Sequence, residues 1–166
     1  MVAQKLRCDF VDLDDAVLKR LGTKNVTDTF RDIGEAAWRS TECAELKHLL
    51  SYNANCVLSL GGGTPTAPGA TEILLREQAQ KKLVIALLDP GEMELAKRLA
   101  KNRGDRPPLP GTPSTGDSQA DAVAEVRLLM QVRMPLYRSL ADTIVDTSAS
   151  EQVCAELIIA AFQKSV

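Results

Sequence analysis

The chain has 166 residues, 45% of them hydrophobic and 25% charged, with a net charge of −2, a balance that fits one soluble globular domain around a single core. Interleaved charge of this size leaves no electrostatic footprint for nucleic acid or an acidic membrane surface, no window approaches the ~20 apolar residues of a membrane span, and the first seven residues lack the apolar core of a signal peptide. Cys8, Cys43, Cys56 and Cys154 are widely separated and accompanied by one histidine, His48, so metal ligation by them is disfavoured and buried, reduced thiols in a cytoplasmic protein are expected.

In chain order, residues 2–7 read as the tail of a helix and 8–13 as a short strand, followed at once by Asp14 and Asp15. Residues 16–21 read as a helix ended by Gly22, in the manner of a C′ glycine. Residues 26–31 make a short helical turn. Gly34 then precedes a helix over 35–50 that sets Trp38, Leu46, Leu49 and Leu50 broadly on one face. An apolar, β-leaning run from Val57 to Leu60 stops in Gly61, Gly62 and Gly63, and Pro65 and Pro68 follow. Residues 70–81 read as a helix with Ile73, Leu74 and Leu75 inward. The unbroken apolar run 83–88 reads as a strand buried on both faces, and 92–101 as a helix. Residues 102–117 carry four prolines and three glycines, a long irregular loop of the kind that serves as a lid. A helix over 118–133, stopping near Pro135, a strand over 143–147 and a helix over 151–164 complete the chain. Strands alternating with helices give an α/β fold, a three-layer parallel sheet with helices on both faces, within one domain spanning 1–166.

Three adjacent glycines are costly in backbone entropy, so a folded chain keeps them for positive φ angles or for backbone lying against a ligand, the bland alternative being a loose surface turn. At the carboxyl end of a parallel strand the second use is favoured, because that edge is where open α/β sheets bind ligands. Asp12 and Asp14 flank Leu13 at a strand end and share a side if the strand extends that far. In such a pair one carboxylate can help hold a hard cation, usually through water, and the other can accept hydrogen bonds from substrate hydroxyls or act as a general base; it can equally be a solvated pair capping the next helix. Arg39 has Glu35 four residues before it and Glu42 three after, the spacing of a surface salt-bridge ladder. Arg39, Arg106 and Arg133 are also the candidate anion binders, since the planar guanidinium suits bidentate contact with carboxylate or phosphate. His48 reads as a helix-surface or half-buried residue, and no Ser/His/Asp or Cys/His nucleophile arrangement is present.

Together these pieces resemble the shikimate kinase family. The resemblance is carried by Phe10-Val11-Asp12-Leu13-Asp14, then Gly34-Glu35-Ala36-Ala37-Trp38-Arg39-Ser40-Thr41-Glu42, where the family usually has phenylalanine in place of Trp38. Gly61-Gly62-Gly63, Arg106-Pro107, Arg133-Met134-Pro135-Leu136-Tyr137, Ala141-Asp142 and Val145-Asp146-Thr147 follow in the family's order. It implies the P-loop kinase fold of the nucleoside-monophosphate-kinase type and transfer of the ATP γ-phosphoryl group to the 3-hydroxyl of shikimate, with Mg²⁺. By the same resemblance Asp14 binds shikimate hydroxyls and is the proposed base. Arg39 and Arg133 grip the carboxylate, and Gly61, Gly62 and Gly63 form a side-chain-free floor on which Gly62 contacts substrate through its backbone. Asp12 lies near Mg²⁺, through water, Arg106 is the lid arginine that reaches the ATP phosphates, and Arg98 lies beside the adenine. The partners implied are shikimate and ATP, and the expected state is a monomer.

The family begins with a strand, a Gly-x-x-x-x-Gly-Lys-[Ser/Thr] phosphate loop and a helix. That motif is absent from these 166 residues, and Thr64-Pro65 after the glycine triplet cannot replace it, because Pro65 removes a backbone donor. The first strand is central in this fold, so its absence orphans ladder groups on both neighbours. The expectation is that residues 1–166 alone neither bind ATP tightly nor phosphorylate shikimate. Three readings stay open: a shikimate kinase whose start lies upstream, a non-catalytic relative acting as a small-molecule-binding or interaction protein, and a segment of a larger multifunctional enzyme. Keeping Asp14, Arg39, Gly62, Arg106 and Arg133 together favours the first.

Overall fold

A computed structural model describes residues 1–52, 55–101 and 115–165. They form two compact units, Met1–Val84 with Phe162–Val166, and Ile85–Ala161, each an α/β arrangement with parallel strands.

In the first unit a short helix α1 (Val2–Leu6) ends at Arg7 in the left-handed region and leads into strand β1 (Asp9–Asp12). The strand stops there because the Asp12 carboxylate accepts from the Asp14 backbone N–H at 2.9 Å. That is an N-cap, and helix α2 (Leu13–Leu21) starts at the next residue. The expected strand to residue 13 and the helix start at 16 are corrected accordingly. Asp12 and Asp14 are therefore not two positions on one strand face; one is a cap and the other lies in the first helical turn. Gly22 closes α2 at φ 70, and Leu13, Val17 and Leu18 are buried.

Asn25 caps the long helix α3 (Val26–Ser51), whose run is broken at Gly34 with φ 79 and ψ 164. The two helical stretches expected on either side of Gly34 are thus present, joined at a glycine whose φ disfavours other residues. Trp38 and Leu46 are buried, whereas Leu49 and Leu50 are half-buried and His48 is exposed, its ring edge-on to Tyr52. Strand β2 (Cys56–Ser59) runs parallel to β1, pairing Asp9 with Cys56 through Asp12 with Ser59. A parallel pair needs a long crossover, which α2 and α3 supply. After the glycine triplet comes a single 3₁₀ turn (Thr64–Thr66) and helix α4 (Ala70–Ala79). Ile73 and Leu74 face the core, but Leu75 is 47% exposed, one step past the buried stripe.

In the second unit strand β3 (Ala86–Asp89) pairs in parallel with β4 (Thr143–Asp146). Helix α5 (Glu92–Lys101) packs on helix α6 (Ser118–Leu140). The last helix, α7 (Glu151–Ser165), follows β4. The strand expected over 83–88 as buried on both faces starts later and leaves Leu88 54% exposed. Asp117 caps α6 by accepting from the N–H groups of Gln119 and Ala120. The helix does not stop near Pro135 but contains it. Pro135 is exposed, so the loss of the donor to the Gln131 carbonyl falls on a face open to solvent. The lid expected over 102–117 lies mostly outside the described residues.

Among the described residues each sheet has two strands, so each strand keeps one edge without a strand neighbour. None of the described helices is long and apolar enough to cross a membrane.

Candidate active site

The exit from β2 is built by backbone hydrogen bonds. Thr64 N–H donates to the Gly61 carbonyl, Thr66 to Gly63 and Ala67 to Thr64, each at 3.0 Å. This turn sinks Thr64 to 0% exposure. Its hydroxyl donates to Glu42 Oε1 at 2.8 Å, and Glu42, itself 1% exposed, accepts from Arg39 Nη1 on Oε2 at 2.6 Å. A buried carboxylate is tolerable only when its oxygens are satisfied, and here each has a partner. Arg39 is held on two further sides. Glu35 Oε1 lies 3.5 Å from Nε, and Cζ sits 5.9 Å from the centroid of the Phe30 ring, which itself packs at a tilt on Trp38.

The glycine triplet does not serve positive φ angles, since none of its members is among the left-handed glycines. It serves close approach. A Cβ on Gly63 would fall inside the Arg39 guanidinium, and one on Gly61 would lie 3.2 Å from Asp14 Oδ1, 3.4 Å from Glu42 Oε1 and 3.5 Å from Thr64 Oγ1. Gly62 between them is exposed. The first unit therefore brings Asp14, Arg39, Gly61, Gly62 and Gly63 into one cluster, with two members the sequence reading did not assign to the site, Glu42 and Thr64. The surface ladder that the spacing of Glu42 from Arg39 suggests is corrected by its burial. The available signal was its spacing of four residues from both Trp38 and Leu46, which puts it on the buried face. Thr64 offered no signal beyond following the triplet.

Asp12 is half-buried and occupied as a cap. Among the described residues no group of three or more His, Cys, Asp or Glu could hold a metal ion. In the second unit Arg133 is half-buried on α6, and Arg98 is exposed on α5 with its Nε 2.9 Å from Glu94 Oε1. Arg106 lies outside the described residues. Of the thiols expected to be buried, Cys154 is, whereas Cys8, Cys43 and Cys56 are half-buried, and Cys43 and Cys56 are poor nucleophile candidates. Burial pushes both Cys43 and Cys56 up, helped by Glu72 beside the first and by Cys8 and Asp9 beside the second. A cavity of about 300 Å³ lined by Lys47, Leu50, Ser51, Arg76, Glu77 and Lys82 shares no residue with the cluster.

A family model described as shikimate kinase matches residues 1–163. The chain belongs to the shikimate kinase family. It is 31% identical over 158 residues to a shikimate kinase of Streptococcus suis (strain 05ZYH33), an alignment covering 94% of this chain and 89% of that one. A shikimate kinase of Chlorobium chlorochromatii (strain CaD3) is 36% identical over 149 residues, covering 90% and 74%. Among solved structures, shikimate kinase from Bacteroides thetaiotaomicron matches with a TM-score of 0.73 at 25% identity, covering 98% of this chain and 84% of that one. Shikimate kinase from Acinetobacter baumannii in complex with shikimate matches with a TM-score of 0.70 at 25% identity, covering 98% and 79%. The fold is thus the family's P-loop kinase fold, and by kinship the chain is a kinase.

Proposed function

We propose that the cluster around Gly61 is the acceptor half of a shikimate kinase site, in an enzyme that moves the γ-phosphoryl group of ATP to the 3-hydroxyl of shikimate. One observation carries this reading: Arg39 is held by a buried carboxylate, with its guanidinium in the space a side chain on Gly63 would take and Asp14 beside the same loop. An arginine held in this way offers the rest of its fork to a carboxylate at little further entropy cost. Asp14 is the group to accept a proton from the attacking hydroxyl, or to orient it, and the exposed Gly62 is the backbone floor for the ring. The family resemblance adds Arg133 as a second carboxylate-binding arginine, Arg106 and Arg98 toward ATP, and Asp12 toward Mg²⁺ through water. The proposed setting is a cytoplasmic monomer.

The donor side fits these residues poorly. Bound Mg·ATP would supply the phosphoryl group and neutralise charge on it, but the phosphate-cradling motif is not among the 166 residues. What the residues present do is bind, orient and accept a proton from the acceptor.

The test is calorimetric titration of residues 1–166 with shikimate, alongside a coupled assay for ADP release. Binding of shikimate without turnover is expected. Lack of shikimate binding would overturn the acceptor site, and measurable turnover would overturn the impairment of the donor side.

A further inference from the structure

We infer that Thr64 is a positioning residue for the carboxylate clamp: its buried hydroxyl locks the rotamer of Glu42, and Glu42 in turn sets the plane of the Arg39 guanidinium. The inference rests on the reading of Arg39 as the arginine that grips the substrate carboxylate.

The direction of the hydrogen bonds is unambiguous. An ionised carboxylate only accepts, so Thr64 Oγ1 must donate to Glu42 Oε1, as Arg39 Nη1 donates to Oε2. The terminal torsion of a glutamate is soft. With one oxygen held by Arg39 alone, the carboxylate could swing about that contact and carry the guanidinium with it. The second bond removes this freedom, because it comes from a residue that cannot itself move. Thr64 is β-branched and stiff at χ1, is fully buried, and has its N–H and its carbonyl both engaged in the 3₁₀ turn. Gly61 lines the other side, where a Cβ would crowd Asp14 Oδ1 at 3.2 Å and touch Glu42 Oε1 and Thr64 Oγ1 at ordinary contact distance. A rigid turn is thereby linked through two short hydrogen bonds to the one arginine of the cluster. This differs from a merely structural role, in which the hydroxyl would only satisfy a buried carboxylate.

Two substitutions separate these roles. Thr64→Val keeps the branched shape and deletes the donor, and Thr64→Ser restores the donor on a smaller side chain. Each is titrated with shikimate by calorimetry, and the Arg39 Nε–Hε resonance is followed in ¹⁵N-labelled protein without ligand. The expected result for Thr64→Val is affinity for shikimate lower by about tenfold, the loss of one hydrogen bond to a charged group, with faster water exchange at Arg39 Hε. Thr64→Ser should stay within about twofold of the unsubstituted protein in both readouts. Wild-type affinity and an unmoved Arg39 signal in Thr64→Val would overturn the inference, as would a Thr64→Ser variant as impaired as Thr64→Val. If Thr64→Val does not fold, Thr64→Ala is put through the same two readouts with the same expected and overturning outcomes. If the unsubstituted protein fails to bind shikimate, the proposed function falls, but the Arg39 resonance still decides the positioning role. Faster exchange in Thr64→Val than in the other two supports it, and identical exchange in all three overturns it.

Discussion

The guanidinium of Arg39 fills the space that a side chain on Gly63 would need. Gly63 itself has φ −93 and ψ −19, a conformation open to any residue, so the demand for glycine here is steric and not conformational. Gly63→Ala should therefore fold. The clash falls on the far end of a long side chain, and alanine restricts the unfolded chain more than glycine does. What should be lost is the orientation of Arg39. Calorimetry with shikimate should show affinity reduced by about tenfold or more, with a lowered melting temperature as well, because moving the guanidinium also takes Arg39 Nη1 from the buried Glu42 carboxylate. A variant that binds as well as the parent would mean the arginine can work from a second position.

Glu42 should matter to stability as well as to the clamp. Glu42→Ala leaves the Thr64 hydroxyl, at 0% exposure, without its acceptor and Arg39 without its closest partner. Losing one member of a buried ion pair costs about 3 kcal/mol or more, which urea unfolding would read directly. Glu42→Gln should fall between, because its amide oxygen can still accept from one neighbour while its NH₂ faces the other donor.

The sequence was most legible where backbone chemistry is local. Gly22 and Gly34 marked helix boundaries, and the alternation of strands and helices marked the parallel strands. It was least legible where a residue had two uses available. Asp12 could extend a strand or cap a helix, and only the Asp14 N–H bond decides for the cap. Arg39 and Glu42 satisfy the surface-ladder spacing and the buried-pair geometry equally well. What distinguishes them is that Glu42 lies on the Trp38–Leu46 face, and that Thr64, 22 residues on, arrives to satisfy it. Pro135 misled for the opposite reason: a helix tolerates it where the orphaned carbonyl faces solvent.

The capping role of Asp12 gives a clean contrast. Asp12→Ala removes the acceptor for the first turn of α2 and should cost about 1 kcal/mol. Asp12→Asn keeps the acceptor and removes only the charge, so its stability should stay close to that of the parent. Chemical denaturation of the two variants measures this. Equal losses would show that charge, not the cap bond, stabilises the helix start.

Glu77 provides the pH test. It lies buried on α4 with Arg76 Nε 3.0 Å and Lys82 Nζ 3.5 Å from its carboxylate oxygens. The Arg76 hydrogen bond, aided by Lys82 and opposed by desolvation, holds its carboxyl below the ordinary value of 4.5. A group whose folded value is depressed binds its proton more readily in the unfolded chain, so its contribution to stability is full above about 4.5 and is lost as pH falls through the folded value. The stability gap between the parent and Glu77→Gln should therefore be widest near neutral pH. It should begin to close below the ordinary value and vanish once the folded carboxyl is protonated. Both cations are about half exposed, so high salt should narrow the gap at neutral pH as well. Thermal melts of the two proteins across an acid series, with and without added salt, measure both effects. A gap constant from neutral pH into strong acid would show that Glu77 acts through packing and not through its charge.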